Sequence, residues 1–386
     1  MNILGIHGSI GWDGNISMGF VPPIGDFWVH GSGATLILNG ELKTALIEER
    51  FSRIKHDGNY PKLSIHNILD HNKLTKYDID LVVYVCGAPE ISFALKRLGY
   101  IENKLQEYFP NCKVEFLSHH LAHASATYYT SGFEEANVLT FDGAGDYELQ
   151  PDGQWLLPHM KFLQGKDLTL TELHSEYVGQ LPMYTGFGGI YGNWTELIYK
   201  QKMNLFENTL EQDTINRETY PGKVMGLAAF GDYQKIDLPE WFSVERERQR
   251  KSNIKWEECF PQLHPNPAAF AKPPEESYNP DDLAAWSQHQ FEKYLLLFLS
   301  NIPKHIKRDN LCLGGGCALN ILANTKIIEE GLYKNVHVNT VPNDDGLHFG
   351  AALYKAVEYE NKITLPDDIG YLGIQYTDKD IEKVLC

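Results

Sequence analysis

The sequence predicts an α/β protein made of two like halves, each opening with antiparallel strands before parallel strand–helix units begin. A short apolar run at residues 2–6 is followed by two more, at 34–38 and 43–47. Asn39-Gly40 joins the latter pair, the dipeptide favoured in a two-residue hairpin turn. Helical spacing at 63–73 leads to apolar runs at 81–85 and 114–117, and an alanine-rich helical stretch occupies 119–130. The same grammar restarts near residue 136. A strand at 137–141 meets the tight turn Asp142-Gly143-Ala144-Gly145-Asp146, and 155–162 supplies more strand material.

The remaining segments fit this frame. Residues 8–28 are rich in glycine and aromatics and contain Pro22-Pro23, so they read as a loop over one edge. Residues 200–221 and 239–280 are charged or proline-rich with little periodicity and read as surface insertions. Helical spacing returns at 281–299, with Leu283, Trp286, Phe291, Leu295 and Phe298 as core positions. A strand at 311–313 runs into Gly314-Gly315-Gly316, followed by a helix at 318–330, a strand at 336–338 and a closing helix at 346–358. A strand followed by a hairpin is the usual start of the two-lobed actin-like ATPase (ASKHA) fold, with duplicated mixed-sheet halves and a cleft between them. The expected halves are 1–135 and 136–370.

Composition narrows the function classes. The 386 residues carry 34 Lys+Arg against 51 Asp+Glu, a net charge of −17 that repels a phosphate backbone and counts against nucleic-acid binding. Hydrophobic residues at 43% suffice for a packed core, and no apolar run reaches the roughly 18 residues of a membrane helix. Cys86, Cys112, Cys259, Cys312, Cys317 and Cys386 are scattered, which suits reduced cytoplasmic thiols rather than a disulfide frame.

Three constellations carry chemistry. In Ser118-His119-His120-Leu121-Ala122-His123-Ala124, His119 and His123 stand four residues apart, on one face of a helix, where both can grip one ion. Asp142 and Asp344 sit at loops where α/β folds place functional groups. Imidazole and carboxylate without thiolate favour Fe(II), Mn(II) or Zn(II); the competing reading is histidines packed in a core. The second constellation is glycine-rich: residues 142–146, Gly314–Gly316 with Asn320 beyond, and Lys223-Val224-Met225-Gly226. These offer backbone N–H groups and a lysine to a phosphate, or are ordinary strand-to-helix turns. The third is Glu48-Glu49-Arg50-Phe51-Ser52-Arg53-Ile54-Lys55-His56, either a solvated helix end or a site where Lys55 meets an anion. His30 is a lone histidine ahead of the hairpin.

Taken in order, these segments resemble the O-carbamoyltransferases of the nodulation-protein and antibiotic-biosynthesis type, whose N-terminal domain is similar to the tRNA threonylcarbamoyltransferase. His30-Gly-Ser-Gly-Ala-Thr-Leu-Ile-Leu-Asn-Gly-Glu41, Glu48 to His56, His119 to Ala124, Lys223 to Ala228, Gly315-Gly316-Cys317-Ala318-Leu319-Asn320 and Asp344-Asp345-Gly346-Leu347 through Ala352 carry the resemblance. Gly31 stands where the family has aspartate. The resemblance implies transfer of a carbamoyl group from carbamoyl-adenylate, made from ATP and carbamoyl phosphate, to a hydroxyl of a small-molecule natural product. It implies that His119, His123, Asp142 and Asp344 hold a divalent iron, with manganese or zinc as alternatives. Lys55 would contact the carbamoyl or phosphate group, His30 would take the acceptor proton, and Lys223, Gly226, Gly315, Gly316 and Asn320 would line the nucleotide. Residues 371–386 would begin a C-terminal carbamoyl-adenylate-forming domain absent from this sequence, and a homodimer is an expected assembly. A tRNA threonylcarbamoyltransferase-like enzyme and a non-catalytic nucleotide-binding scaffold are the alternative functions.

Overall fold

The structure, a computed structural model, describes residues 1–10, 29–85, 96–178, 186–203, 219–246, 260–270 and 278–385. Most of the expected 8–28 loop and parts of both expected insertions lie outside the described residues. The chain forms two compact units, Met1–Ala126 with Asp344–Cys386, and Thr127–Asn343.

In the first unit, β1 (Asn2–His7), β2 (Gly33–Leu38) and β3 (Glu41–Ile47) form an antiparallel meander. Asn39 and Gly40 both take positive φ, 52° and 76°, as the expected hairpin turn demands. Helix α1 (Lys62–His71) then leads to β4 (Leu81–Val85), and α2 (Tyr100–Tyr108) to β5 (Lys113–Leu117), giving the sheet order β3-β2-β1-β4-β5 with the last two strands parallel to β1. Edge strand β3 alternates exposed and buried, whereas β4 is buried throughout, as a parallel strand covered on both faces should be. Leu4, Ile6 and Leu36 pack on one face against Ile65 and Ile68 of α1 and Ile101 and Leu105 of α2. Glu48 is buried rather than solvated. Its carboxylate accepts from Leu63 N (2.8 Å) and Ser64 N (2.7 Å), holding the first turn of α1 by the unpaired amides of a helix start.

Helix α3 (His119–Tyr129) follows β5 and carries the chain into the second unit. There β6 (Glu135–Phe141), a short ribbon of β7 (Glu148–Leu149) and β8 (Trp155–Leu156), β9 (Pro158–Lys166) and β10 (Thr169–Tyr177) come in order. Helix α4 (Phe187–Met203), α5 (Pro221–Leu227) and a second ribbon, β11 (Phe242–Arg246) with β12 (Pro261–Pro265), precede α6 (Pro280–Ser300). Asn279 caps α6 by accepting from Asp281 N at 2.8 Å, with Pro280 at the first helical position. Strand β13 (Asn310–Gly314), helix α7 (Ile321–Glu329) and β14 (Asn335–Val338) complete a sheet of order β10-β9-β6-β13-β14. Its pairing repeats that of the first sheet: two antiparallel neighbours on one side of the central strand, two parallel strands on the other. This duplicated sheet is the actin-like ATPase class that the sequence predicts. Phe141, Phe187, Trp194, Trp286, Phe291 and Phe298 fill the core against it.

Two expectations change. The described part of 239–280 is not all surface: Trp241, Phe242 and Leu263 are buried in this core, because large apolar side chains on the β11–β12 ribbon have an apolar face to cover. And the second half does not run on to residue 370. From Asp344 the chain belongs to the first unit, where α8 (Leu347–Glu360) packs on β1, β2 and β4; α9 (Asp378–Leu385) ends the described chain. No described helix is long and apolar enough to cross a membrane.

The seating of α8 depends on glycine. A Cβ on Gly5 of β1 would collide with the His348 carbonyl oxygen, and one on Gly350 would collide with the carbonyl oxygen of Ala122 in α3. Gly350→Ala gains about 0.5–1 kcal/mol of helix propensity. Backbone cannot yield as a flexible side chain does, so overpacking of roughly 1–3 kcal/mol should win. Urea denaturation of Gly350→Ala is expected to show net destabilisation; equal or greater stability would contradict this packing.

His348 sits in the same contact, fully buried, with Nδ1 2.7 Å from Thr35 Oγ1. Burial, reinforced by the nearby His7, pushes its pKa from 6.5 down to about 3. The unfolded chain therefore binds a proton that the folded chain refuses. The contribution of His348 to stability is complete above pH 6.5 and is lost as pH falls toward 3, at up to about 1.4 kcal/mol per pH unit. Unfolding free energies at pH 7.5 and 5.5 should differ less in His348→Gln than in the parent.

Candidate functional site

Strand β5 ends at Leu117 and the chain turns at once into α3, where Ala122 N donates to Ser118 O at 3.0 Å. That places His119 and His123 in the first turns of the helix, on one face, 3% and 1% exposed. Their Nε2 atoms are 3.0 Å apart. The Asp344–Gly346 turn before α8 brings the buried Asp344 carboxylate to them, with Oδ1 3.5 Å from His119 Nε2 and 3.3 Å from His123 Nε2. Ligand atoms about 2.1 Å from one ion stand roughly 3.0–3.4 Å apart in octahedral or tetrahedral sets. The triangle of two imidazoles and a carboxylate therefore fits a divalent metal, and its three residues are among those able to hold one. His120 points into the same buried region, its ring 5.5 Å from that of His119.

His30 stands at the edge of this triangle, with Nε2 3.8 Å from Asp344 Oδ2. Gly31 takes a φ of 71°, and an added Cβ would lie 2.6 Å from Asp345 N, so glycine suits this close approach beside His30. His7 in β1 fixes the backbone from below: Nδ1 lies 3.1 Å from Val85 O and Nε2 3.0 Å from His30 O. Burial lowers the His7 pKa against the opposing pull of Asp344. Lys55 is exposed on the turn after Ser52, beside His56, whose ring meets that of His30 edge-on at 6.3 Å. Burial lowers the His56 pKa, and His30 and Lys55 lower it further against the opposing pull of Glu49 and Asp345. Sequence reasoning passed over His7, a lone histidine in a strand that carries no distinguishing signal, and named His56 only as the end of the charged run, without a role of its own.

Asp142 lies in the second unit, at the carboxyl end of β6. Its Oδ1 accepts from Gly143 N and its Oδ2 from Gly316 N, both at 2.8 Å, which laces the β6 turn to the β13 turn. Gly315, with φ 89°, donates its N–H to Pro342 O at 2.7 Å. Gly188 at the start of α4 reaches the same turn, since a Cβ there would stand 2.5 Å from Gly143 N. Asn320 holds the far end. Its Oδ1 accepts from Ala323 N at 3.1 Å, capping α7, and it forms a reciprocal carboxamide pair with Gln288 of α6 at 2.9 and 3.0 Å. Tyr191 donates to the same Gln288 oxygen at 3.1 Å. Gln288 was not visible as a site residue in sequence, because its role exists only once α6 and α7 meet. Lys223 is exposed on α5, its Nζ 4.1 Å from the centre of the Tyr220 ring, which stacks on Tyr199 at 4.0 Å; Gly226 on the same helix has open space around it.

Comparison with known proteins gives this arrangement a context. An uncharacterized protein of Synechocystis sp. is 26% identical over 410 residues, covering 93% of this chain and 61% of that protein. Nodulation protein NolNO of Sinorhizobium fredii is 26% identical over 355 residues, covering 86% of this chain and 47% of its own. This chain thus spans only about half the length of that relative. A crystal structure of full-length HypF in its phosphate- and nucleotide-bound form superposes with a TM-score of 0.47 at 13% identity, covering 94% of this chain and 56% of that one. The family model described as Carbamoyltransferase N-terminus matches residues 94–353, well over half of the sequence, and the chain belongs to that family.

Proposed function

We propose that this chain is the transfer part of an ATP-dependent, metal-assisted O-carbamoyltransferase acting on a hydroxyl of a small-molecule natural product. The observation that carries the reading is the buried triangle of His119, His123 and Asp344 with His30 at its rim, in a chain of the carbamoyltransferase N-terminal family. Carbamoyl-adenylate, formed from ATP and carbamoyl phosphate, is the proposed donor. The acceptor oxygen attacks the carbamoyl carbon, the C–O bond to AMP breaks, and His30 takes the acceptor proton; an imidazole of near-neutral pKa suits an alcohol nucleophile. His119, His123 and Asp344, with Asp142 assigned to the same ion by its motif position, would hold divalent iron, manganese or zinc. When bound, such an ion neutralises charge on the phosphate leaving group. Lys55 adds positive charge for the carbamoyl or phosphate oxygens. Backbone amides of the Gly315–Gly316 turn, anchored by Asn320, take the nucleotide together with Lys223 and the Gly226 turn. The net charge of −17 disfavours the tRNA-directed alternative.

The test generates carbamoyl-adenylate in place from AMP and labelled cyanate, with metal-loaded protein and a panel of hydroxylated acceptors. The chain is expected to speed AMP-dependent loss of the carbamoyl label to an acceptor or to water. His30→Ala should lower that rate by roughly 10²–10⁴-fold while AMP affinity is kept. No AMP-dependent acceleration, or an undiminished rate in His30→Ala, would contradict the reading.

A further inference from the structure

Lys55 stands on a loop whose two ends rest on one residue of the first unit. Ser32, two residues past His30, accepts from Glu48 N at 2.9 Å and donates its own N–H to Asp57 O at 2.9 Å, so residues 49–56 leave and return at the same backbone. The return is fixed further. Gly58 O accepts from Ser9 N at 2.8 Å, and the buried Asp57 carboxylate accepts from Asn59 N at 3.0 Å and Asn59 Nδ2 at 2.8 Å. The excursion itself is strained. After the single helical turn Glu49–Ser52, Arg53 and His56 both take left-handed backbone, φ 63° and 55°, which residues with a side chain adopt at a steric cost. Arg53, Ile54, Lys55 and His56 are all exposed, so apolar burial does little to offset that cost. Glu49 bridges the loop instead. Its carbonyl oxygen accepts from Arg53 N at 3.0 Å, and its carboxylate Oε2 accepts from His56 N at 2.8 Å. Both left-handed residues are thereby bonded to Glu49, with Lys55 between them; Ile54 N reaches Ser52 Oγ only at 3.3 Å. The neighbouring Glu48 carboxylate is turned to α1, so the two adjacent glutamates have separate tasks.

We infer that Glu49 is the positioning residue for Lys55, an inference that rests on the role proposed for Lys55 above. A hydrogen bond from a backbone N–H to a carboxylate is charge-assisted and stronger than a neutral one. Here it closes the stretch from Arg53 to His56 and sets the direction in which Lys55 leaves the backbone. Without it the two left-handed residues relax toward ordinary backbone, and Lys55 shifts relative to His30, which the Ser32 bonds keep beside the base of the same loop. A lysine that stabilises charge acts through where its ammonium stands, so a shift of ångström scale lowers the rate. Glu49 has a second effect, since its charge raises the His56 pKa against burial, His30 and Lys55. Glutamine at this position keeps an acceptor oxygen and removes the charge, which separates the two effects.

The test joins native-state trypsin digestion to a double-mutant cycle, both on the full chain. Trypsin cuts after Arg53 and Lys55 when this loop opens, so Glu49→Ala should speed cleavage there at least about fivefold, with Glu49→Gln close to the parent. In the AMP and cyanate assay above, Lys55→Ala and Glu49→Ala should each lower the rate, the latter by roughly 10–100-fold. Glu49→Gln should keep at least about a third of the parent rate. Added to Lys55→Ala, Glu49→Ala should cost less than about twofold more, because it acts only through that lysine. Should Glu49→Ala not fold, Glu49→Met, of similar length but without an acceptor oxygen, takes its place. Unchanged cleavage or an unchanged rate in the Glu49 variant, or its full additional loss in the double variant, overturns the inference and leaves the role of Lys55 standing. Lys55→Ala at the parent rate defeats the reading of Lys55 and this inference together. A parent with no AMP-dependent rate defeats the proposed function itself, and the inference with it.

Discussion

The candidate site depends on how closely helix α8 lies against its neighbours in the first unit. Gly5 removes the side chain that would hold α8 off β1, and Gly350 removes the one that would hold it off α3. The Asp344–Gly346 turn immediately precedes α8, so the depth of that packing sets where the Asp344 carboxylate falls relative to His119 and His123. An extra methyl at either glycine would move a carboxylate whose value lies in ångström-scale placement. Gly31 makes the same kind of contribution on the other side, where its positive φ and missing side chain let the backbone beside His30 lie close to Asp344 and Asp345.

This packing also explains the electrostatics. Two imidazole nitrogens 3.0 Å apart beside one buried carboxylate form a donor set of the kind that holds a divalent cation. Around it, burial lowers the pKa of both His348 and His7, and Lys55 is exposed at the rim. The second unit builds its own turn differently, from Asp142 and Gly316 at one end and the Asn320–Gln288 pair at the other.

Local chemistry was legible in the sequence wherever it was local in space. Asn39-Gly40 declared its hairpin, Asn279-Pro280 fits the start of α6, and the four-residue spacing of His119 and His123 put both on one helical face. Helix α4 was overlooked because Gly188, Gly189 and Gly192 and its aromatics depress helix propensity, although glycine in a helix signals a close approach such as Gly188 makes to Gly143. Strand β10 escaped for lack of strict alternation; its register with β9 breaks twice. The return of the chain to the first unit after Asn343 was not legible, because no short-range pattern encodes which sheet a closing helix covers; motif resemblance grouped Asp344 with the histidines but left it in the second half.

The central claim is that His119, His123 and Asp344 form a metal centre. Its most direct test is anaerobic loading of the full chain with Fe(II), desalting, and metal analysis with X-ray absorption at the iron edge. The account predicts one iron per chain with nitrogen and oxygen neighbours near 2.1 Å, and loss of that iron in a folded His123→Ala variant. Iron that fails to bind stoichiometrically, or that His123→Ala retains with unchanged neighbours, would contradict it.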